Sequence, residues 1–293
     1  MKPFSFRINQ RRVHLRSWYY RMMHDYYRSL YRLIPQITRN RVRWKGWIGH
    51  AWIQFAPYLF GTSTRLAINS YGHPMHVRPY ELNDLTALFG RSEEKIVEKL
   101  VGALQPGNTF VDVGAHIGRY TLLAAGRVGK MGRVLAIEPE PNNFELLKRN
   151  VLINDFYWVR IFNVALMAEN GTAQLISPDE DKSICTLFPS WPTTLYQGAH
   201  CPYHSYPIDG RALDSLITQE QIDIINLLKI DVEGAELQVL KGALQALQQK
   251  RIQSIVCEVH QPICKLSDII TFLERLGYVV SPIKEVGVFA SAR

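Results

Sequence analysis

"TFVDVGAHIGRYTLLAA", residues 109–125, decides the fold. The first five residues read as a short buried strand, and a turn bearing Gly114 and Gly118 follows. The apolar run after it has helical spacing. A strand, a glycine turn and a helix in that order bring a ligand to the carboxyl end of a parallel strand. The spacing is not that of a dinucleotide site, which needs G-x-G-x-x-G so that helix-start amides meet a pyrophosphate. Here the pattern is D-x-G-x-x-x-G, with Asp112 where the first glycine would stand. A carboxylate at that point repels phosphate and suits a cationic ligand. The phosphate-loop pattern G-x-x-x-x-G-K-[ST] is also missing from the sequence.

Outward from this turn, strand and helix alternate. Residues 132–139 and 159–166 predict strands, and 141–154 predict a helix with proline in its first turn. Residues 171–177 predict an extra strand. After 207 the rhythm resumes with "ALDSLI" at 212–217, followed by a strand at 225–231 and a helix at 234–249. A strand at 254–259, a helix at 267–277 and a last strand pair at 278–283 and 287–292 complete the series. Strands separated by single helices predict an α/β fold with a doubly wound, mostly parallel, Rossmann-like sheet. Upstream, residues 92–104 predict a helix capped by Ser92 with acids in its first turn. Residues 178–207 break the rhythm with five prolines and several aromatics, and read as a long functional loop.

The 293 residues are 47% hydrophobic and 20% charged, as in ordinary globular proteins, but the net charge of +8 is unevenly placed. Residues 1–45 hold twelve Lys or Arg and one acid, Asp25, a net +11 that leaves −3 for the rest. Over residues 15–34, Leu15, Trp18, Tyr19, Met22, Tyr26 and Leu30 share one helical arc, opposite Arg21, Arg28 and Arg32. We expect a basic, aromatic-rich N-terminal helical extension over residues 1–70 and the α/β domain over 71–293. Such a helix can lie on an anionic membrane through residues 1–60, or pack its aromatic face on the domain. A nucleic-acid grip is the least favoured use of the arm. No stretch reaches the ~18–20 apolar residues of a spanning helix, and no signal peptide is evident. Cys185, Cys201, Cys257 and Cys264 form no C-x-x-C pair and read as thiols of a reducing, cytoplasmic compartment. His200, Cys201 and His204 in "HCPYH" read as loop residues, because no second pair of zinc ligands lies nearby.

Ligands of such sheets sit at the strand carboxyl ends. Those ends carry Asp112, Gly114, Ala115, His116 and Gly118, then Glu138, then Asn163, then Asp231 and Glu233, then Glu258 and His260. Tyr120 and Thr121 open the first helix, and Pro139 and Asn143 open the second; they are assigned to the same cofactor pocket. S-adenosylmethionine fits this set. It has no phosphate, carries an ammonium and a sulfonium, and offers two ribose hydroxyls to Glu138. Asp112 suits the ammonium, directly or through backbone and water, and the glycines admit close approach. Asp231 completes the cofactor set.

"FVDVGAHIGRYTLLAA", "VLAIEPEPNNFELLKRNVLIN", "ALDSLI", "LLKIDVEGAELQVLKGA" and "IVCEVH" occur in order. Together they resemble the FkbM-type family of class I S-adenosylmethionine-dependent methyltransferases over about residues 76–285, with "DVEGAE" the most specific motif. The resemblance implies O-methylation of a hydroxyl on a glycan, glycolipid or secondary metabolite. Methyl transfer to an alcohol needs alignment and a base or metal. His260 is the expected base, oriented by Glu258 or Asp231 on the premise that residues 258 and 260 share one side of a strand. Glu233 completes the catalytic candidates, while Glu236 reads as a first-turn helix acid. A divalent metal on Asp231, Glu233 and Glu258 is a second option; no metal is assigned. A nucleic-acid methyltransferase and a NAD-dependent oxidoreductase are the competing functions, the latter opposed by the missing first glycine.

Overall fold

The computed structural model describes residues 63–89, 94–178, 184–188, 203–283 and 287–292. The helix expected at 15–34, the Ser92 cap, His200 and Cys201 lie outside the described residues. The chain divides into two compact units, Met1–Gly90 and Arg91–Arg293.

In the first unit, β1 (Arg65–Ile68) and β2 (Pro74–Val77) form an antiparallel hairpin, and α1 (Leu82–Phe89) follows. Asn69 shapes the hairpin turn, its Oδ1 accepting from the amides of Tyr71 and His73 at 3.0 Å each. Buried Asp84 accepts from the Arg78 amide, Nε and Nη2 at 2.7, 2.9 and 2.8 Å. Such multiple bonding offsets the desolvation cost of a buried pair.

The second unit starts with α2 (Glu94–Ala103), β3 (Thr109–Val113), α3 (Arg119–Val128), β4 (Arg133–Ile137), α4 (Pro141–Ile153) and β5 (Val159–Phe162). Short β6 (Ala165–Leu166) and long β7 (Gly171–Pro178) and β8 (Tyr203–Arg211) come next. Then follow α5 (Leu213–Gln219), β9 (Leu227–Ile230), α6 (Glu236–Gly242), α7 (Leu244–Gln248) and β10 (Ser254–Glu258). The unit ends with α8 (Leu266–Arg275), β11 (Tyr278–Ile283) and β12 (Gly287–Ala292). Seven strands form one sheet in the order β11-β12-β10-β9-β3-β4-β5. The five from β10 to β5 run parallel, and β12 is antiparallel to both its neighbours. This is the expected doubly wound, mostly parallel, Rossmann-like sheet.

Period-two alternation sorts the strand residues into two cores. Val111, Val113, Leu228 and Ile230 pack on one face with Val239, Leu240 and Ile269. Phe110, Val134, Ala136, Leu227 and Val256 pack on the other with Tyr120, Ala124 and Leu147. By the same alternation, Asp112 and Lys229 belong to the second face, and they are register partners across β3 and β9.

Three segments differ from the sequence expectation. Residues 159–166 are two strands, not one. Asn163 Nδ2 donates to Glu138 O and Pro139 O at 2.9 Å each, and past it β6 joins a separate three-stranded sheet of order β6-β8-β7. The helix at 234–249 breaks at Ala243, because the Asp214 carboxylate accepts from the amides of Gln245 and Ala246 and starts a new helix there. Residues 203–207, expected in the long loop, are strand, paired antiparallel from Pro178↔Tyr203 to Gly171↔Gly210. Most of β8 is exposed, so it lacks the apolar alternation that marks a strand in sequence.

Candidate active site

Where β3 ends, the amides of Gly114 and Ala115 both donate to Ile137 O at 3.0 Å. Gly114 has φ +76, and a Cβ there would stand 1.8 Å from Asp231 O, so glycine is required by both torsion and space. Gly118, at φ 99, begins α3. The His116 amide donates to Glu138 Oε2 at 2.7 Å, and the Glu140 amide donates to Glu138 Oε1 at 3.0 Å. Glu138 is thus pinned across the turn at the end of β4. Burial pushes its carboxyl up to about 7, although both amides favour the charged form. Glu140 caps α4 by accepting from the Asn143 amide at 2.6 Å, beside Pro139. Ala115, Tyr120, Thr121 and Asn143 are buried around the turn.

Asp112 is fully enclosed. Its Oδ2 accepts from Thr121 Oγ1 at 2.7 Å, and its Oδ1 lies 3.4 Å from Lys229 Nζ. Burial raises its pKa despite both neighbours. A protein ammonium therefore already stands at the carboxylate that the sequence assigned to the cofactor's ammonium.

At the neighbouring strand end, the Asp231 amide donates to Val113 O at 3.1 Å. The chain then passes through Glu233 and Gly234, at φ 51 and 104. Thr186 Oγ1 donates to Glu233 O at 2.7 Å, tying the described part of the β7–β8 connection to this turn. Glu236, completely buried at the first position of α6, accepts from the Gly234 amide at 3.0 Å and from His260 Nδ1 at 2.7 Å. The other ring nitrogen, Nε2, faces Glu233 Oε1 at 3.5 Å and Asp231 Oδ1 at 3.7 Å. Burial works against a charged ring, but the Glu236 bond and the Glu233 and Asp231 charges outweigh it and raise His260 to about 10. At Asp231 burial again opposes charge, yet Lys229 and His260 hold the carboxyl below its usual range.

The structure thus brings Asp231, Glu233 and His260 together and adds Glu236 and Lys229. The premise that Glu258 and His260 share a strand face does not hold: β10 ends at Glu258, where pairing with β12 stops at Gly287, and His260 lies beyond it. Glu236 was expected only as a helix-start acid, and nothing local in the sequence links it to a histidine 24 residues on. Lys229 had a signal, a lysine within the apolar strand "LLKI" that falls opposite Asp112.

Two chemical capacities follow. The acids around the glycine turn suit hydroxyl donors and a cation rather than phosphate. One ligand atom from each of Asp231, Glu233 and His260 lies within 4.8 Å of the others, a spacing that fits one divalent cation.

A Rossmann-like sheet with its acids and glycine turn at the carboxyl ends defines a ligand site of the doubly wound α/β class. Residues 112–280 match the family described as Methyltransferase FkbM domain, and the chain belongs to that family of methyltransferases. It is 29% identical over 198 residues to the methyltransferase sdnD of Sordaria araneosa, covering 60% of this chain and 76% of that one. To the 31-O-demethyl-FK506 methyltransferase FkbM of Streptomyces tacrolimicus it is 28% identical over 210 residues, 60% of this chain and 75% of that one. To the hexuronic acid methyltransferase AglP of Haloferax volcanii it is 26% identical over 182 residues, 58% of this chain and 63% of that one.

Proposed function

We propose that the protein transfers a methyl group from S-adenosylmethionine to a hydroxyl oxygen of a glycan, glycolipid or secondary metabolite. The observation that carries this reading is His260, anchored by Glu236 with Nε2 turned toward Asp231 and Glu233, beside the glycine turn. Two relatives, named for a hexuronic acid and for 31-O-demethyl-FK506, support an oxygen-rich acceptor. When bound, the cofactor supplies an electrophilic methyl on sulfur. Glu138 accepts from the ribose hydroxyls, and Gly114 and Gly118 let the backbone come close. Asp231 takes the ammonium. His260 receives the proton that the hydroxyl loses, and Glu233, Asp231 and Glu236 stabilise the resulting imidazolium.

A second reading rests on the same cluster. With acids facing both ring nitrogens the ring favours its protonated form, so in the first reading it accepts a proton only once the cofactor's ammonium meets Asp231 and weakens that pull. A divalent cation on Asp231, Glu233 and His260 Nε2 would meet the acids, would make the histidine a ligand in place of the base, and would polarise the acceptor oxygen so that it gives up its proton more readily. Glu236 would then orient the histidine from behind, as carboxylates do for metal-bound imidazoles.

The test is to incubate the protein with methyl-labelled S-adenosylmethionine and fractionated cell material. Label in a glycan or metabolite fraction that survives alkali and is released by hydriodic acid as iodomethane marks a methyl ether and supports the reading. Label released by alkali as methanol marks a methyl ester and replaces the hydroxyl with a carboxylate. Label in nucleic acid alone overturns the acceptor class. Loss of transfer on chelation, restored by Mg²⁺ or Mn²⁺, selects the second reading.

A further inference from the structure

Lys229 is 2% exposed, in the middle of the parallel sheet. A lysine there persists only where its charge is matched and its protons are used. Its Nζ donates to Gly114 O at 2.9 Å. It lies 3.4 Å from Asp112 Oδ1 and 3.3 Å from Asp231 Oδ2, and 5.2 Å from the centre of the Tyr120 ring. One ammonium therefore contacts both strand ends and the first carbonyl of the glycine turn.

The two carboxylates it joins are not equivalent. The Asp112 side chain is 0% exposed, whereas that of Asp231 is 25% exposed. A ligand's ammonium can reach Asp231 from outside, but reaches Asp112 only by displacing Lys229 or Thr121. We infer that Lys229 is a positioning residue for the amino-acid end of the cofactor: it neutralises Asp112 from within, fixes the Gly114 carbonyl, and holds Asp231 by Oδ2 to meet the ligand's ammonium. This rests on the S-adenosylmethionine reading and deepens it. The adenosine end falls to Glu138, held by the His116 and Glu140 amides, and the amino-acid end to Asp231, held by Lys229.

The experiment compares three nucleosides by calorimetry on the full chain: S-adenosylmethionine, S-adenosylhomocysteine and 5′-methylthioadenosine, which lacks the amino-acid arm. Lys229→Met should weaken the first two by roughly 10–100-fold, the range for a charge-assisted contact, and leave 5′-methylthioadenosine almost unchanged. Lys229→Arg, which keeps the charge, should recover part of the loss. If the single Met variant does not fold, Asp112→Asn/Lys229→Met removes both buried charges and should show the same arm-selective loss. Equal weakening of all three nucleosides means a merely structural lysine and overturns the inference. Undiminished S-adenosylmethionine binding in a folded Met variant overturns it too. A wild-type protein that binds none of the three overturns the cofactor reading itself, and this inference with it.

Discussion

The turn after β3 and the loop after β9 stand at adjacent strand ends and are built in opposite ways. The β3 turn is held by backbone groups and by acids that the fold encloses. Glu138 accepts two amides, Asp112 is sealed against Thr121 and Lys229, and Gly114 touches the Asp231 carbonyl. The β9 loop holds side chains from three separate places: Asp231 and Glu233 from the loop, Glu236 from α6, and His260 from beyond β10. The first region is closed by buried hydrogen bonds between its own acids, amides and Thr121. The second is partly open, and the charge of Asp231 there is shared between Lys229 and His260. A family can keep the first while the second and the β7–β8 connection adapt to different acceptors.

The sharpest way to break this contrast is His260→Ala. It should lower turnover by ~10²–10⁴-fold and change cofactor affinity far less, because the ring bears on the cofactor only through Asp231. Steady-state rates with calorimetry on the same variant decide it, and a parallel loss of cofactor binding would show that the halves are not separate. Gly114→Ala attacks the closed half. A Cβ pressed against the Asp231 carbonyl at positive φ should cost roughly 2–4 kcal/mol of stability, read from a denaturant titration. A variant as stable as wild type would mean the turn is not locked.

A finer comparison sets the two buried acids against each other. Glu138→Gln should weaken cofactor binding by ~1–3 kcal/mol, whereas Asp112→Asn should show most of its loss in stability, since its carboxylate serves Lys229 and Thr121. Acid should mimic the Glu138 variant. Its pKa of about 7 lies above the ordinary carboxyl value, so the folded, ligand-free protein holds a proton there that the unfolded chain has released. That stabilisation is complete below the unfolded pKa and is lost as pH rises through about 7. Ribose hydroxyls prefer the ionised acceptor, so cofactor affinity should rise across the same interval and fall as pH drops below it. Affinity that is flat from pH 6 to 8 would remove Glu138 from the ribose site.

The smallest effect on chemistry is expected from deleting residues 1–60. Turnover of a dissolved acceptor should persist, while flotation with anionic vesicles, to which each basic residue contributes ~1 kcal/mol, should disappear. Full-length protein that ignores vesicles and binds RNA with a steep salt dependence would assign the basic arm to nucleic acid instead. Among the described residues, no helix is long and apolar enough to cross a membrane.

The sheet and the glycine turn at the end of β3 were legible in the sequence. Both are local: the apolar strands are bounded by turns, and "DVGAHIG" carries its acid and its glycines within seven residues. The strand split at Asn163 and the helix break at Ala243 were not legible, because each depends on a side chain meeting backbone groups of another element. The same cause hid the partner of His260. Sequence offered Glu258 or Asp231, the former on the premise of a continuing strand. The folded chain ends β10 first and gives Nδ1 to buried Glu236. It alone places Lys229 in the space between Asp112 and Asp231, because a contact across a parallel sheet depends on register, which no single strand encodes.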